Sequence, residues 1–301
     1  MDAGICCMTS DPFTASRHVS VLPNEVLQWL DPQPGQILVD ATLGAGGHTR
    51  MLAQKVGPMG RVISLDCDAQ MIERTKPSLS GLPVTTVHAS FDQLDQVLKE
   101  HGIEAVDGVL ADLGICSDQL DDPDRGLTFQ GDGPLDMRLD TSSGLSAADL
   151  LAQLDERSIA DLIYQYGEER LSRRIAKAIV MRRKESPIRT TRDLAELVRR
   201  CVPRSGKIDP ATRTFQALRI AVNGEMEALE MFLKILPRCL KVGGRAVIIS
   251  FHSLEDRRVK EAFKDATRFE ALTRKPVQAG DEEIGQNPRS RSAKLRAARK
   301  V

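Results

Sequence analysis

Along the first 115 positions, apolar residues fall into short runs separated by stretches with helical spacing. "ILVDAT" (37–42), "RVISLD" (61–66), "VTTVHAS" (84–90) and "VDGVLADLG" (106–114) are rich in Val, Ile, Leu and Thr, as buried strands are. Between them lie "HTRMLAQKV", "AQMIERTKPSL" and "FDQLDQVLKEHG"; in the last, Leu94, Val97 and Leu98 recur at helical intervals. Strands alternating with helices predict right-handed βαβ units and an α/β fold with a parallel, doubly wound sheet.

The next strand pattern, "GRAVIISFH" (244–252), begins about 130 residues beyond the fourth. A crossover needs only about a dozen residues plus its helix, so something is inserted. Residues 116–211 open with loop chemistry, "DQLDDPDRGLTFQGDGPLDM". Helical patterns follow: "SAADLLAQL" behind a Ser146 cap, "RSIADLIYQYG", "ERLSRRIAKAIVMRRK", and "TRDLAELVRRCV" behind Thr191. The expectation is a small helical domain over 116–211, hung from the fourth strand, with 1–115 and 212–301 forming the main domain. "GEMEALEMFLKILPRCL" (224–240) returns to the sheet with Met226, Leu229, Leu233 and Leu236 on one face. "FEALTR" and "SAKLRAAR" read as paired edge strands. Residues 1–17 have neither a basic start with an apolar middle nor an Arg-rich leader composition, and read as a frayed tail.

Composition narrows the class. At 28% charged and 41% apolar residues the chain is an ordinary soluble globular protein, and no stretch nears the roughly 18 apolar residues of a membrane span. Cys6, Cys7, Cys67, Cys116, Cys201 and Cys239 show no C-x-x-C spacing and no framework of pairs. That predicts no metal site and no disulfide scaffold, and fits a reducing cytoplasm. Net charge is zero but unevenly spread: fourteen acids against three arginines over 104–161, and thirteen Lys/Arg against five acids over 168–207. The tail from 285 to 301 adds six basic residues and no acid. A charge run is first of all a solvated helix face, but two basic blocks in one chain point to a polyanion such as nucleic acid.

The glycine-rich turn in "DATLGAGGHT" raises the question of a nucleotide. No lysine follows Gly44, Gly46 or Gly47 at P-loop spacing, and the third place of a G-x-G-x-x-G motif holds Thr49. Ligands of open α/β sheets sit over the carboxyl ends of the strands, where the expected strands place Asp40, Asp66 and Asp112, with Asp68 close behind. An acid about twenty residues past the glycines suits a ribose diol, whose charge-assisted bonds contribute about 1.5–3 kcal/mol each; Asp66 fits that role for either kind of cofactor. Asp40 is expected to face a pyrophosphate and repel it. S-adenosylmethionine carries no phosphate and is net positive, so acids around the turn suit it, and its carboxylate can meet the free N–H groups of the following helix. Structural readings stand beside these: the glycines make a tight turn, His48 caps or packs, and Phe91 is core rather than an adenine platform.

"HVSVLPNEVLQWL", "DATLGAGGHT", "LADLGICSDQLD", "RGLTFQGDGPLDMRLD", "YGEERLSRRIAKAIV", "ATRTFQALRIAVNGE", "SFHSLEDRRVK" and "NPRSRSAKLR" occur in that order. Together they resemble the bacterial 16S ribosomal RNA cytosine-N4 methyltransferases, the MraW family, from about His18 to Arg296. The resemblance implies a Rossmann-like, S-adenosylmethionine-dependent methyltransferase with a helical insert. It implies methylation of the exocyclic amine of a decoding-centre cytosine in 16S rRNA of the small ribosomal subunit. Such an enzyme is cytoplasmic, a monomer or homodimer, with no membrane or DNA partner. Matching positions carry cofactor contacts onto Gly46, Gly47, His48, Asp66, Phe91, Asp112 and Gln119. Gln119 is visible only through the resemblance, since a Gln in an acidic loop is normally surface. The family pattern D-L-G-V-S-S-P-Q-L-D reads "DLGICSDQLD" here, with Cys116 and Asp118 in Ser and Pro places. Losing that proline loosens the loop that carries Gln119. "RGLTF" replaces the family's "RGFSF".

Amine methylation needs an acceptor that bonds the target N–H and takes up the surplus proton. The [DNS]-P-P-[YF] motif of DNA amine methyltransferases is replaced by "DLGI". Asp112 is the first candidate, although it also serves the cofactor; His252 in "SFHSLEDR" is the second, with an oriented structural histidine as its alternative. The basic insert (Arg173, Arg174, Lys177, Arg182, Arg183, Lys184) and the tail (Arg289, Arg291, Lys294, Arg296) are expected on RNA phosphates. Two other readings remain: a nicotinamide oxidoreductase, which the glycine and aspartate pattern disfavours, and a non-catalytic ribosome assembly factor.

Overall fold

The computed structural model describes residues 19–204, 206 and 208–301. The frayed tail expected over 1–17, with Cys6 and Cys7, lies outside the described residues. In chain order come α1 (Pro23–Leu30), β1 (Ile37–Asp40), α2 (Gly47–Val56), β2 (Arg61–Asp66), α3 (Ala69–Thr75), β3 (Val84–His88), α4 (Leu94–Glu100) and β4 (Val106–Asp112). Next are α5 (Ser117–Asp121), α6 (Ala147–Gln153), α7 (Glu156–Gly167), α8 (Ser172–Glu185), α9 (Thr191–Cys201), α10 (Thr212–Asn223) and α11 (Glu225–Cys239). The chain closes with β5 (Leu240–Ser250), α12 (Ser253–Phe263), β6 (Phe269–Ala271), α13 (Asp281–Gln286) and β7 (Lys294–Lys300).

The strands form one sheet in the order β3-β2-β1-β4-β5-β7-β6. β1 to β5 run parallel, while β7 lies antiparallel to both β5 and β6, so the two edge segments pair as their patterns predict. From β1 the chain builds outward through β2 and β3, then returns to add β4 and β5 on the other side. The loops leaving β1 and β4 therefore part, and a crevice opens over their carboxyl ends.

Successive strand residues point to opposite faces, and both faces are covered. Val39, Ile63, Val109 and Ile248 pack with Leu98 of α4 and with Leu229, Phe232 and Leu236 of α11. Their neighbours Leu38, Val62, Leu110 and Val247 pack on the other face with Val26 of α1 and Leu52 of α2. This double burial explains why the strands read as continuous apolar runs rather than alternating ones.

Between β4 and β5 the helices build their own apolar cluster, from Leu135 and Leu151 through Ile163, Ile179 and Val198 to Phe215 and Leu218 of α10, with no sheet residue in it. Oxygen-bearing side chains start these helices: Ser146 accepts from the Asp149 N–H and Asp155 from the Ser158 N–H. The cap of α9 is Thr190, not Thr191, because Asp193 then falls at the third helical position and completes a capping box. Thr191 instead turns inward, donating to Gly131 O (3.0 Å) and accepting from the Gly133 N–H (3.2 Å). Asn223 ties the preceding loop to α10: its Oδ1 accepts from the Leu139 N–H (2.8 Å) and its Nδ2 donates to Met137 O (2.9 Å).

Phe232 is fully buried between α11 and the sheet and meets Phe91 edge to face at 5.4 Å. Phe232→Ala is expected to lower the unfolding free energy in urea by about 3–5 kcal/mol. An unchanged midpoint would contradict this packing.

Candidate cofactor site

The main pocket lies over the carboxyl ends of β1, β2 and β4, at the point where the strand order reverses. The glycine turn shapes one wall. Gly44 and Gly46 adopt left-handed φ values of 48° and 77°, which glycine reaches without steric cost. Gly46 closes the turn through its N–H to Leu43 O at 2.8 Å and stands at the cap of α2. It does not line the pocket; a Cβ there would fall 2.5 Å from Thr75 Cγ2. Gly47 and His48 line it directly and begin α2. A Cβ on Gly47 would lie 2.1 Å from Ser20 Oγ, so the chain before α1 crosses this wall closely.

Asp66, at the end of β2, lines the pocket with its carboxylate fixed by two backbone donors, Gly44 N–H (2.8 Å) and Asp68 N–H (2.9 Å). Burial raises its pKa to about 6 against the lowering effect of those bonds. Asp40 departs from expectation. It does not face the ligand space but is wholly buried beneath the loop, where Oδ2 accepts from Thr49 Oγ1 at 2.6 Å and Oδ1 from the Thr42 N–H at 3.2 Å. Burial pushes its carboxyl to about 7. Asp112 ends β4 and does reach the pocket. Its Oδ2 lies 3.7 Å from His48 Nε2, while Oδ1 is buried with no hydrogen-bond partner among the described residues. Burial first, then the Asp40 and Glu255 charges, raise its pKa well above the usual carboxylate range.

Gln119 lines the pocket from α5 and is nevertheless held at both ends of its amide. Oε1 accepts from the Cys116 N–H (3.1 Å), and Nε2 donates to Asp68 Oδ2 (2.9 Å). Cys116 is thus the cap residue of α5, and Asp118 supplies an acid in its first turn. Asp68 is the hub: it caps α3 and also accepts from Arg125 Nη2 at 2.7 Å. Arg125 is nearly fully buried and donates as well to Leu139 O at 2.8 Å, drawing the "RGLTF" loop against the pocket wall. Phe91 lines the pocket, half-buried, with Phe232 behind it. The Cys67 and Cys116 thiols also line it; burial pushes both to about 12, so they remain thiols.

The lining also includes two acids that sequence reasoning missed, Glu225 and Glu255, together with Met226, Leu229 and Phe251. The signal for Glu255 was its place three residues after His252, the spacing of a capping box. His252 caps α12 and is not in the pocket lining: Nδ1 accepts from the Glu255 N–H (3.4 Å) and Nε2 lies 3.2 Å from Glu255 Oε1. Glu255 Oε2 accepts from the N–H groups of Phe251 (2.8 Å) and His252 (3.2 Å). Burial alone would raise the Glu255 pKa, but His252, Arg219 and the Phe251 N–H together hold it below the usual range. Glu225, His252 and Glu255 bring ligand-type atoms within 4.8 Å of one another. Positive charge reaches this group from Arg219, bidentate on Glu225 at 2.7 and 2.8 Å.

The basic residues divide. Arg173, Arg174, Lys177 and Lys184 are exposed on α8, as is Arg291 in the tail. Arg182 donates to Ser186 O, and Arg183 to the carbonyls of Leu151 and Leu154. Arg296 is buried against Asp256, with Lys294 3.7 Å from the same carboxylate. Arg289 turns to the pocket. Among the described residues no helix is long and apolar enough to cross a membrane.

The sequence matches the MraW methylase family over residues 15–301. Ribosomal RNA small subunit methyltransferase H of Sorangium cellulosum (strain So ce56) is 52% identical over 289 residues, spanning 95% of this chain and 91% of its own. The protein of the same name from Geobacter sp. (strain M21) is 46% identical over 308 residues, spanning 95% and 99%.

The buried carboxyl of Asp40 makes a pH prediction. Its folded pKa of about 7 lies above its unfolded value near 3.8, so its contribution is most favourable below pH 4 and is lost as pH rises through 7. A tenfold difference in proton affinity between the folded and unfolded chain corresponds to roughly 1.4 kcal/mol. Asp40→Asn removes that loss, so the ligand-free variant should gain stability relative to wild type between pH 5 and pH 8 in urea unfolding. Parallel pH profiles for the two proteins would contradict the assignment.

Proposed function

The chain belongs to the MraW methylase family, and on that premise we propose that it transfers a methyl group from its cofactor, S-adenosylmethionine, to the N4 amine of a decoding-centre cytosine in 16S rRNA. The observation that carries the reading is the Asp112 carboxylate, which lines the pocket with one oxygen left without a hydrogen-bond partner among the described residues. A buried carboxyl with an open acceptor fits a cationic nucleoside and repels a pyrophosphate. The two curated relatives, both named as small-subunit rRNA methyltransferases, support the substrate class. The likeness to cytosine-N4 enzymes, read from the eight motifs, supports the atom.

When bound, the cofactor supplies an electrophilic methyl group on a sulfonium. Asp66 accepts from the ribose hydroxyls with the lone pairs its two backbone bonds leave over. Phe91, backed by Phe232, would offer its ring to the adenine, and Gln119 would hold the nucleoside from α5. The N–H groups of Gly47 and His48, at the start of a ten-residue helix, would hold the methionyl carboxylate. Gly46 acts through the shape of the turn.

The cytosine amine is a weak nucleophile because its lone pair is conjugated with the ring. Asp112, once ionised, would accept an N4–H and free that pair. As the N–C bond forms, the methyl–sulfur bond breaks with its electron pair left on a neutral thioether. The surplus amine proton passes to the Asp112 carboxylate, whose raised pKa favours holding it. Glu255 gives the adjoining wall a fixed negative charge, and His252 acts through it as a positioning residue. Exclusion of water by Leu139, Met226 and Phe251 strengthens these interactions. The target base must leave its stack to reach this depth, which non-duplex RNA permits most easily. Exposed Arg173, Arg174, Lys177 and Lys184 hold the RNA backbone without reading sequence. Small subunits as substrate place the reaction in the cytoplasm.

Labelled S-adenosylmethionine supplied with small subunits, naked rRNA and DNA should leave label in N4-methylcytidine from the subunits. Asp112→Asn should lower kcat about 10²–10⁴-fold with unchanged fold, and charge reversal on α8 should raise KM for RNA. Label in another nucleoside, or full activity in Asp112→Asn, would refute the corresponding part.

A further inference from the structure

Asp66, Asp112, Glu225 and Glu255 line the pocket, and among the Lys and Arg side chains of the described residues only Arg289 joins them. It sits on the short turn Pro288–Ser292 that follows α13. That turn is fastened to the chain that crosses Gly47: Asn287 Nδ2 donates to Val19 O at 3.0 Å, and the Leu22 N–H to Glu283 Oε1 at 2.7 Å. Arg289 Nη2 donates to Asp121 Oδ1, at the end of α5, at 3.2 Å. Its Nη1 is buried and has no hydrogen-bond partner among the described residues.

A guanidinium offers five donors in a fixed fork, and a buried donor left unmatched is costly. Anchored on one side by Asp121, this one carries its unmatched nitrogen at the wall of an otherwise acidic cavity. We propose that Arg289 is an anion-binding residue of this pocket, its Nη1 donating to a negatively charged oxygen of a bound reactant. The assignment rests on reading the pocket as a methyl-donor site. Two oxygen anions suit it there, the carboxylate of the methyl donor and the phosphodiester beside the target base. In either case a single cation set against four acids orients its ligand end for end.

Dissociation constants for S-adenosylmethionine and, separately, for small subunits are to be measured directly for wild type, Arg289→Gln, Arg289→Lys and Asp121→Asn. Arg289→Gln should weaken one of them at least tenfold at an unchanged thermal midpoint, with partial recovery in Arg289→Lys. A loss confined to S-adenosylmethionine identifies the carboxylate. A loss confined to subunits, with a salt slope smaller by about one, identifies the phosphodiester. If neither constant moves in Arg289→Gln, or if Arg289→Gln and Asp121→Asn alike lower the thermal midpoint and weaken both affinities with no recovery in Arg289→Lys, Arg289 merely braces α5 and the proposal is overturned. Both constants are read without methyl transfer, so failure of the methylation assay is a separate outcome.

Discussion

Carboxyl groups withheld from water at the carboxyl end of the sheet are the constraint around which the site is arranged. An isolated buried carboxylate is strongly unfavourable, and the group either finds donors or keeps its proton. Asp66 takes two backbone N–H bonds, Asp40 is satisfied by Thr49 and Thr42, and Asp112 keeps one oxygen unmatched. Their raised pKa values follow chiefly from burial. Of the three, Asp66 and Asp112 line the pocket, and a ligand with a positive centre favours their charged forms.

The loops around this end hold their shape through a second buried charge. Asp68 joins the end of β2 to Gln119 of α5 and to Arg125 of the following loop. Removing one partner of such a buried pair is costly, because the other is left uncompensated. The same pair holds the Gln119 amide at the pocket wall and the loop that leads into the helical segment, so the two share one buried anchor.

Much of the fold was legible because parallel strands buried on both faces leave unbroken apolar runs, as at 61–66 and 106–112. The helical segment announced itself by capping residues and by the distance between the fourth and fifth strand patterns. The site was legible only in part. Asp66 and Asp112 stand at strand ends and follow from topology alone, but Asp40 shares that position and points beneath the loop. Strand-end placement does not say which way a side chain turns. His252 and Glu255 sit at capping-box spacing, a signal that pairs them at the start of α12 without saying which of the two faces the cavity. Arg289 and Arg296, alike in a basic tail, separate into a pocket residue and the buried partner of Asp256.

The central claim is that these acids select a cation, and proton release measures it directly. S-adenosylmethionine binding, followed by calorimetry near pH 6.5 in buffers of different ionisation enthalpy, should release protons. Burial holds the Asp112 carboxyl well above the usual range, and it ionises in response to the positive charge. S-adenosylhomocysteine, which lacks that charge, should release fewer. Equal release for the two ligands, or none for either, would contradict the account.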